Sequence, residues 1–339
     1  MKQCLICSVN GFRKESLIFM KAIYLKGIAT IFLIFILTGC NNNNEGNISN
    51  VGLLMSETIN DQVWGTKGYR GLLQIASEYD VDVHFKEDIK SLMAVRNAVK
   101  EFDQAGVTLL FGNGHEFAEY FSEIADEYPH IQFVSINGEA SEENTTSLSF
   151  DGYAMGYFGG MVAAKMTESG EIGIIPAFDW QPEVQGFIDG AKCQNENVTV
   201  HVSAVGNWND IDSGLQKFEE QRADGVDIFY PAGDGFNVPI IEKVKENGLF
   251  VIGYVSDQHD LGAKTVLTST VQHVDQLFLL AAEKFNNGTL ESGNYNFDFK
   301  EGAITLGEFS SVVPEDFVKE MQTYVQSYIQ TDKLPSKGN

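Results

Sequence analysis

Four cysteines in 339 residues, at positions 4, 7, 40 and 193, leave little room for a disulfide framework. The Cys4-Leu5-Ile6-Cys7 pair has no second pair and no βαβ pattern around it, which argues against a zinc or redox site. Basic residues are also scarce. Lys and Arg number 23 against 47 Asp and Glu, a formal net charge of −24. Such a surface repels phosphate backbones, which argues against direct nucleic-acid binding. The apolar run Ile28 to Leu37 is too short to cross a bilayer, which takes about 20 helical residues. Catalytic signatures are missing too: there is no Gly-x-Ser-x-Gly elbow, no His-Glu-x-x-His and no metal-spaced Cys/His set. Gly112-Asn113-Gly114 and Gly233-Asp234-Gly235 extend neither to Gly-x-Gly-x-x-Gly nor to a phosphate-cradling Lys-Ser/Thr. The sequence therefore predicts no enzyme, no cofactor and no metal.

What is present supports a large core: 43% of residues are hydrophobic, with 24 Phe and 12 Tyr. The length suggests roughly two lobes. At the N-terminus, Lys21 and Lys26 precede the apolar run, which ends in Leu37-Thr38-Gly39-Cys40. A charged segment, a short apolar segment and a small-residue cleavage site make up a secretory signal over residues 1–39, with Met20 as a natural start. The last four residues look like a bacterial lipobox, so Cys40 is expected to carry a diacyl anchor to the membrane. The alternative, an uncleaved anchor, also leaves the body outside the cytoplasm. Residues 40–50 then form the lipidated cysteine and an Asn-rich polar tether. Cys193, on a predicted helix, reads as a small buried apolar residue.

From Val51 onward short apolar runs alternate with amphipathic segments. Strands are expected at 51–55, 81–85, 107–111, 131–136, 172–175, 198–205, 227–230 and 250–254. Helices are expected between them, with Asn137–Thr146 read as a polar connection before a Gly-rich helix at Tyr153–Met166. That alternation means parallel sheets covered by helices on both faces. Residues 105–114 and 224–235 echo one another, which suggests two similar α/β lobes. A ligand would then lie between them, at the carboxyl ends of the strands. The Gly-x-Gly loops would bring Asn113, His115, Asp234 and Phe236 to the cleft mouth, or would simply be tight turns needing positive φ. Trp64 is either core or a stacking platform for a planar ligand. Asp179 and Trp180 follow a strand, with Pro182 suited to the first turn of the next helix. Tyr254 and Asp257 stand at the end of another strand; Asp257 could reach the ligand from its loop. The small-residue stripe Gly156, Gly159, Gly160, Ala163 and Ala164 reads as close helix packing.

Several segments carry a family resemblance: Thr58-Ile59-Asn60-Asp61, Gly156 through Gly173, Gly186-Phe187-Ile188-Asp189-Gly190-Ala191, Ala232-Gly233-Asp234-Gly235, Ser256-Asp257-Gln258 and Leu267-Thr268-Ser269. In this order they resemble the basic membrane protein (PnrA-like) family of bacterial surface lipoproteins, which includes purine-nucleoside receptors of ABC transporters. The resemblance implies a type I periplasmic-binding-protein fold, with two Rossmann-like lobes joined by a three-stranded hinge. Crossings are expected near Asn137–Thr146, Gly253–Ser256 and Asn296–Ala303. Residues 51–140 plus 255–297 would form lobe 1, 145–252 plus 303–331 lobe 2, and 332–339 a tail. Ligand-binding candidates are then Asn60, Trp64, Asn113, Asn137, Asp179, Trp180, Asp234, Phe236 and Asp257. Four positions depart from the nucleoside-binding pattern. Ser56, Asn137 and Val255 stand where such proteins typically carry Asp, and Gln272 where they often carry Lys. Residues 59–69 and 230–239 are most similar to family members that promote competence transcription. The resemblance thus implies a positive, indirect regulator of competence genes with a solute cleft. The alternative is a receptor that hands a nucleoside or similar small polar molecule to an ABC permease.

Overall fold

The computed structural model describes residues 48–60 and 63–336. Cys40, the expected leader over 1–39 and the expected start at Met20 lie outside the described residues. The order along the chain is β1 (Asn50–Leu54), α1 (Trp64–Tyr79), β2 (Asp82–Lys86), α2 (Leu92–Gln104), β3 (Val107–Gly112), α3 (Glu116–Ser122), β4 (Gln132–Ile136) and β5 (Thr145–Phe150). Then come α4 (Gly152–Met166), β6 (Glu171–Pro176), α5 (Pro182–Gln194), β7 (Thr199–Val202), α6 (Ile211–Ala223), β8 (Ile228–Ala232), α7 (Asn237–Glu246), β9 (Phe250–Val255) and β10 (Val266–Gln272). The last elements are α8 (Val274–Asn286), β11 (Gly293–Phe297), β12 (Ile304–Leu306) and α9 (Glu315–Thr331).

These strands make two six-stranded sheets, ordered β11-β5-β4-β3-β1-β2 and β12-β10-β9-β8-β6-β7. All pairings in the first are parallel. In the second, only β12 runs antiparallel, against β10. The echoing segments supply β3 and β8, which hold the same place in their respective sheets. Their glycines serve a different purpose from the one sequence suggests. Positive φ falls on Gly106 and Gly225, just before each strand, and not on the Gly-x-Gly pairs. Gly112 and Gly233 are required by close approach, because a Cβ there would collide with the side chains of Phe117 and Phe236.

Two expected lobe boundaries move. The segment read as a polar connection leads into β5, whose Thr145, Thr146 and Ser147 are buried and pair with β4, so the chain leaves lobe 1 at Asp151. Polar side chains hid this strand, although its backbone completes the ladder between β4 and β11. Likewise β9 and β10 both belong to the second sheet, which places residues 255–272 in lobe 2 and the second crossing at Gln272–His273. The third crossing spans residues 298–303, between β11 and β12. Between the second and third crossings helix α8 lies in lobe 1, where Phe278 meets Phe111 edge-on with ring centroids 4.2 Å apart.

The central strands are buried on both faces, which is why they read as apolar runs rather than alternations. On β3, Leu109 and Phe111 pack toward Leu72, Ile75 and Phe278, while Leu110 packs toward Val95, Val99, Phe102 and Phe121. On β8, Ile228 and Tyr230 share a cluster with Phe158 and Phe187, while Phe229 joins Phe218, Ile240 and Val244. Side-chain oxygens cap several helices: Ser91 accepts from Ala94 N–H, Asp151 from Tyr153 N–H and Asp210 from Ser213 N–H. Pro182 opens α5. Among the described residues, no helix is long and apolar enough to cross a membrane.

Candidate functional site

A cavity of about 330 Å³ lies between the lobes, at the carboxyl ends of the strands. Lobe 1 contributes residues that follow β1 (Met55, Ser56, Glu57), β3 (Asn113 to Glu116) and β4 (Asn137), together with the end of β5 (Ser149, Phe150) and the start of α1 (Trp64, Gly65). Lobe 2 contributes Trp180 to Glu183, Trp208, Asn209, Asp234, Tyr254, Val255 and Gln272. This size is near the lower end of the range for small-molecule sites, about 300–1,000 Å³.

Of the candidates read from sequence, the cavity gathers Trp64, Asn113, Asn137, Trp180 and Asp234. The other four lie elsewhere. Phe236 is fully buried in the lobe 2 core, beneath Gly233 and Gly214, where it fills space rather than facing a ligand. Asn60 and Asp179 are exposed outside the lining. Asp257 is turned toward the connection after β12, where its carboxylate accepts from Glu308 N–H at 2.9 Å and from Ser269 Oγ at 3.4 Å. The four departures from the nucleoside pattern, Ser56, Asn137, Val255 and Gln272, all line the cavity.

The lobes meet across it. Helix α1 has no side-chain N-cap of its own; Trp64 N–H, in its first turn, donates to Asp234 Oδ1 of lobe 2 at 3.4 Å. A helix N-terminus carries partial positive charge, so a carboxylate there is favoured. Trp64 Nε1 donates to the Asn113 carbonyl at 2.9 Å, and Asn113 Nδ2 donates to the Trp64 carbonyl at 3.3 Å. Beneath this pair, Lys67 reaches from α1 to the Gln272 carbonyl at 2.9 Å, and burial pushes its pKa below the usual lysine range. At the mouth, Trp180 is 60% exposed, stacks on Phe178 and meets Trp208 edge-on at 6.4 Å. Across the gap, His115 of lobe 1 lies 6.1 Å from the Trp180 ring.

Asn137 holds a left-handed backbone at φ 61°, and its Oδ1 accepts from Phe150 N–H at 3.1 Å. Asparagine tolerates that conformation better than most residues. Asn137→Ala should destabilise the fold by about 1–3 kcal/mol, by stranding a buried N–H and straining φ. Asn137→Gly should recover only the backbone part. Chemical denaturation of the three proteins checks this, and equal stability of the Ala and Gly variants would contradict it. Val255 takes φ 63°, a strained choice for a β-branched residue at a cavity-lining position.

Sequence reading missed Phe150, Trp208 and, with the largest electrostatic consequence, Glu183. It lies in the first turn of α5, is 5% exposed and lines the cavity. Nothing in its local pattern separates it from the many surface glutamates; only the packing of α4 against α5 buries it. Burial holds its carboxyl above the usual range despite the Tyr254 hydroxyl, which donates to Oε1 at 3.3 Å; the charge of Asp151 adds to the rise. A raised native pKa means that the folded protein keeps this proton longer than the unfolded chain does. Stability from this group is then lost as pH climbs above the ordinary glutamate value of 4.5. Glu183→Gln should therefore melt higher than the parent at pH 8, with the gap closing by pH 4. Thermal melts at the two pH values test this, and an unchanging gap would contradict it. Among the described residues, no cluster of His, Cys, Asp or Glu is arranged to hold a metal ion.

The family model for ABC transporter substrate-binding proteins of the PnrA-like type matches residues 48–337. The chain belongs to this family. It is a family of substrate-binding proteins, not of enzymes. The chain is 45% identical over 304 residues to the transcriptional activator protein Med of Bacillus subtilis, covering 89% of this chain and 96% of that one. Its fold matches a crystal structure of a transcriptional activator of the comK gene from Bacillus halodurans. That match has a TM-score of 0.80 and 52% identity, over 85% of this chain and all of the other. A solute-binding protein of an ABC transporter system from Aeropyrum pernix shares the fold at TM-score 0.73 with 19% identity, over 86% of this chain and 94% of that one. The two-lobed architecture expected from the sequence is thus that of periplasmic solute-binding proteins.

Proposed function

We propose that this PnrA-like protein is a lipid-anchored, extracytoplasmic solute-binding protein turned to regulation, which raises competence transcription indirectly. The observation that carries the reading is the 45% identity to a Bacillus transcriptional activator across nearly the whole chain. The net charge of −24 disfavours contact with DNA, so the effect on transcription would run through a membrane partner. An interlobe cavity lined from both sides supports ligand-driven hinge closure as the input. Cys40 would be the attachment site. Its acyl chains bury enough methylenes to hold the protein, since two chains anchor stably where one is marginal.

Deleting the gene and complementing it tests the reading. Wild-type complementation should restore expression of competence genes, and Cys40→Ser should restore it poorly while the protein is released or left unprocessed. Unchanged expression after deletion would overturn the regulatory role. Full rescue by Cys40→Ser would overturn the anchor. The second reading, a receptor feeding an ABC permease, is favoured by the substrate-binding family itself. It predicts loss of uptake of a nucleoside or similar solute in the same deletion strain.

A further inference from the structure

The cavity lining is uneven in charge. Its ionisable residues are Glu57, which pairs with Lys90 at 3.2 Å, Glu116, Glu183, Asp234, His115 and Tyr254; no Lys or Arg is among the lining residues. Phosphate and carboxylate ligands are held best by positive partners, and among the lining residues only His115 can carry a positive charge. The Trp64 ring N–H is already given to the Asn113 carbonyl, and Gln181 Nε2 to the Ala232 carbonyl at 3.1 Å. The lining carboxylates, by contrast, outnumber its cationic side chains.

Aromatic rings make up much of the remaining wall. Lobe 1 presents Trp64 and Phe150, ring centroids 6.2 Å apart and 75° between planes. Lobe 2 presents Trp180 and Trp208, 6.4 Å apart and 77° between planes, with Tyr254 deeper in. Each lobe therefore supplies a corner of two nearly perpendicular rings. The negative faces of aromatic rings attract cations, Trp most strongly, and boxes of such rings recognise quaternary ammonium groups.

We propose that the cleft takes a small organic cation, an amine or quaternary ammonium head boxed by Trp64, Phe150, Trp180 and Trp208 and neutralised by Glu183 and Asp234. The proposal rests on the reading of the cleft as a solute site and names the charge of the solute. Glu183 is faced by the Tyr254 hydroxyl from β9 and by Asp151 from the start of α4, with Tyr230 on β8 also close enough to interact. No cationic group is among them. A bound cation would favour the ionised carboxylate, so association releases a proton and tightens as pH rises above the ordinary glutamate range.

Calorimetry on the full-length chain with choline, spermidine, adenosine and AMP tests the idea. Choline or spermidine should bind, AMP should not, and adenosine should bind at least about tenfold more weakly than the better cation, a difference of about 1.4 kcal/mol. Glu183→Gln, which preserves shape, should weaken the cation about tenfold and abolish the pH dependence. Trp180→Ala, at a ring that is 60% exposed, should weaken it several-fold. Adenosine binding with both cations silent would overturn the cation proposal and leave the solute-site reading intact. Silence from all four would count against both. AMP binding as well as the cations, or cation binding unaffected by either substitution, would overturn the assignment to this lining.

Discussion

Gly160→Leu is expected to destabilise lobe 2 by at least about 3 kcal/mol, the upper range for forcing bulk into a packed interior. Helices α4 and α5 cross with their backbones in contact. A Cβ at Gly160 would overlap the Phe187 carbonyl oxygen and lie 2.9 Å from Ala191 N, and one at Gly190 would overlap the Tyr157 carbonyl. Backbone cannot rotate aside as a side chain can, so the helices would have to separate. Neighbouring Gly159 provides the control. Its Cβ would meet the Thr270 and Ile252 methyls at 3.5 and 3.6 Å and the Phe187 ring at 4.0 Å, all ordinary contacts. Gly159→Ala should therefore be neutral or stabilise by up to about 1 kcal/mol through helix propensity. Thermal melts should show Gly160→Leu lowered by roughly 6–12 °C, and similar melting temperatures for the two variants would refute the backbone-contact explanation.

Phe236→Ala should cost about 3–5 kcal/mol, the usual penalty for emptying a buried aromatic site. The ring is wholly buried, and both Gly233 and Gly214 owe their lack of a side chain to it. The loop after β8 rests on this ring, so its removal also loosens the support of Asp234. A loss below about 1 kcal/mol, read from denaturant unfolding, would mean that the ring faces a cavity rather than core.

The alternation of elements was legible because both sheets are mainly parallel, and parallel strands announce themselves as apolar runs. β5 was not, since Thr145, Thr146, Ser147 and Ser149 look like loop residues and are held in the sheet by backbone pairing with β4 and β11. The lobe boundary after β9 was misplaced for a related reason: β10, Val266–Gln272, is wholly buried but mixes Thr, Ser and Gln among its apolar residues. At the site, the residues legible from sequence were those in or beside the loops that follow strands, such as Asn113, Trp180 and Asp234. Asp257 follows a strand as well, yet its carboxylate is engaged by the connection after β12. Glu183 stayed hidden because burial of a charged residue by helix packing leaves no local mark in the sequence.

The first lobe is not finished where it is first left. Helix α8 and edge strand β11 reach it only after ten strands have been made. A nascent chain stopped near Asp151 would expose the faces of Leu72 and Phe111 that Phe278 later covers, and an unpaired β5 edge. Such a fragment is adhesive, so premature release or proteolytic clipping before about residue 297 should yield aggregates rather than a stable half-molecule. The interleaved connectivity thus acts as quality control: either the whole chain matures or none of it does.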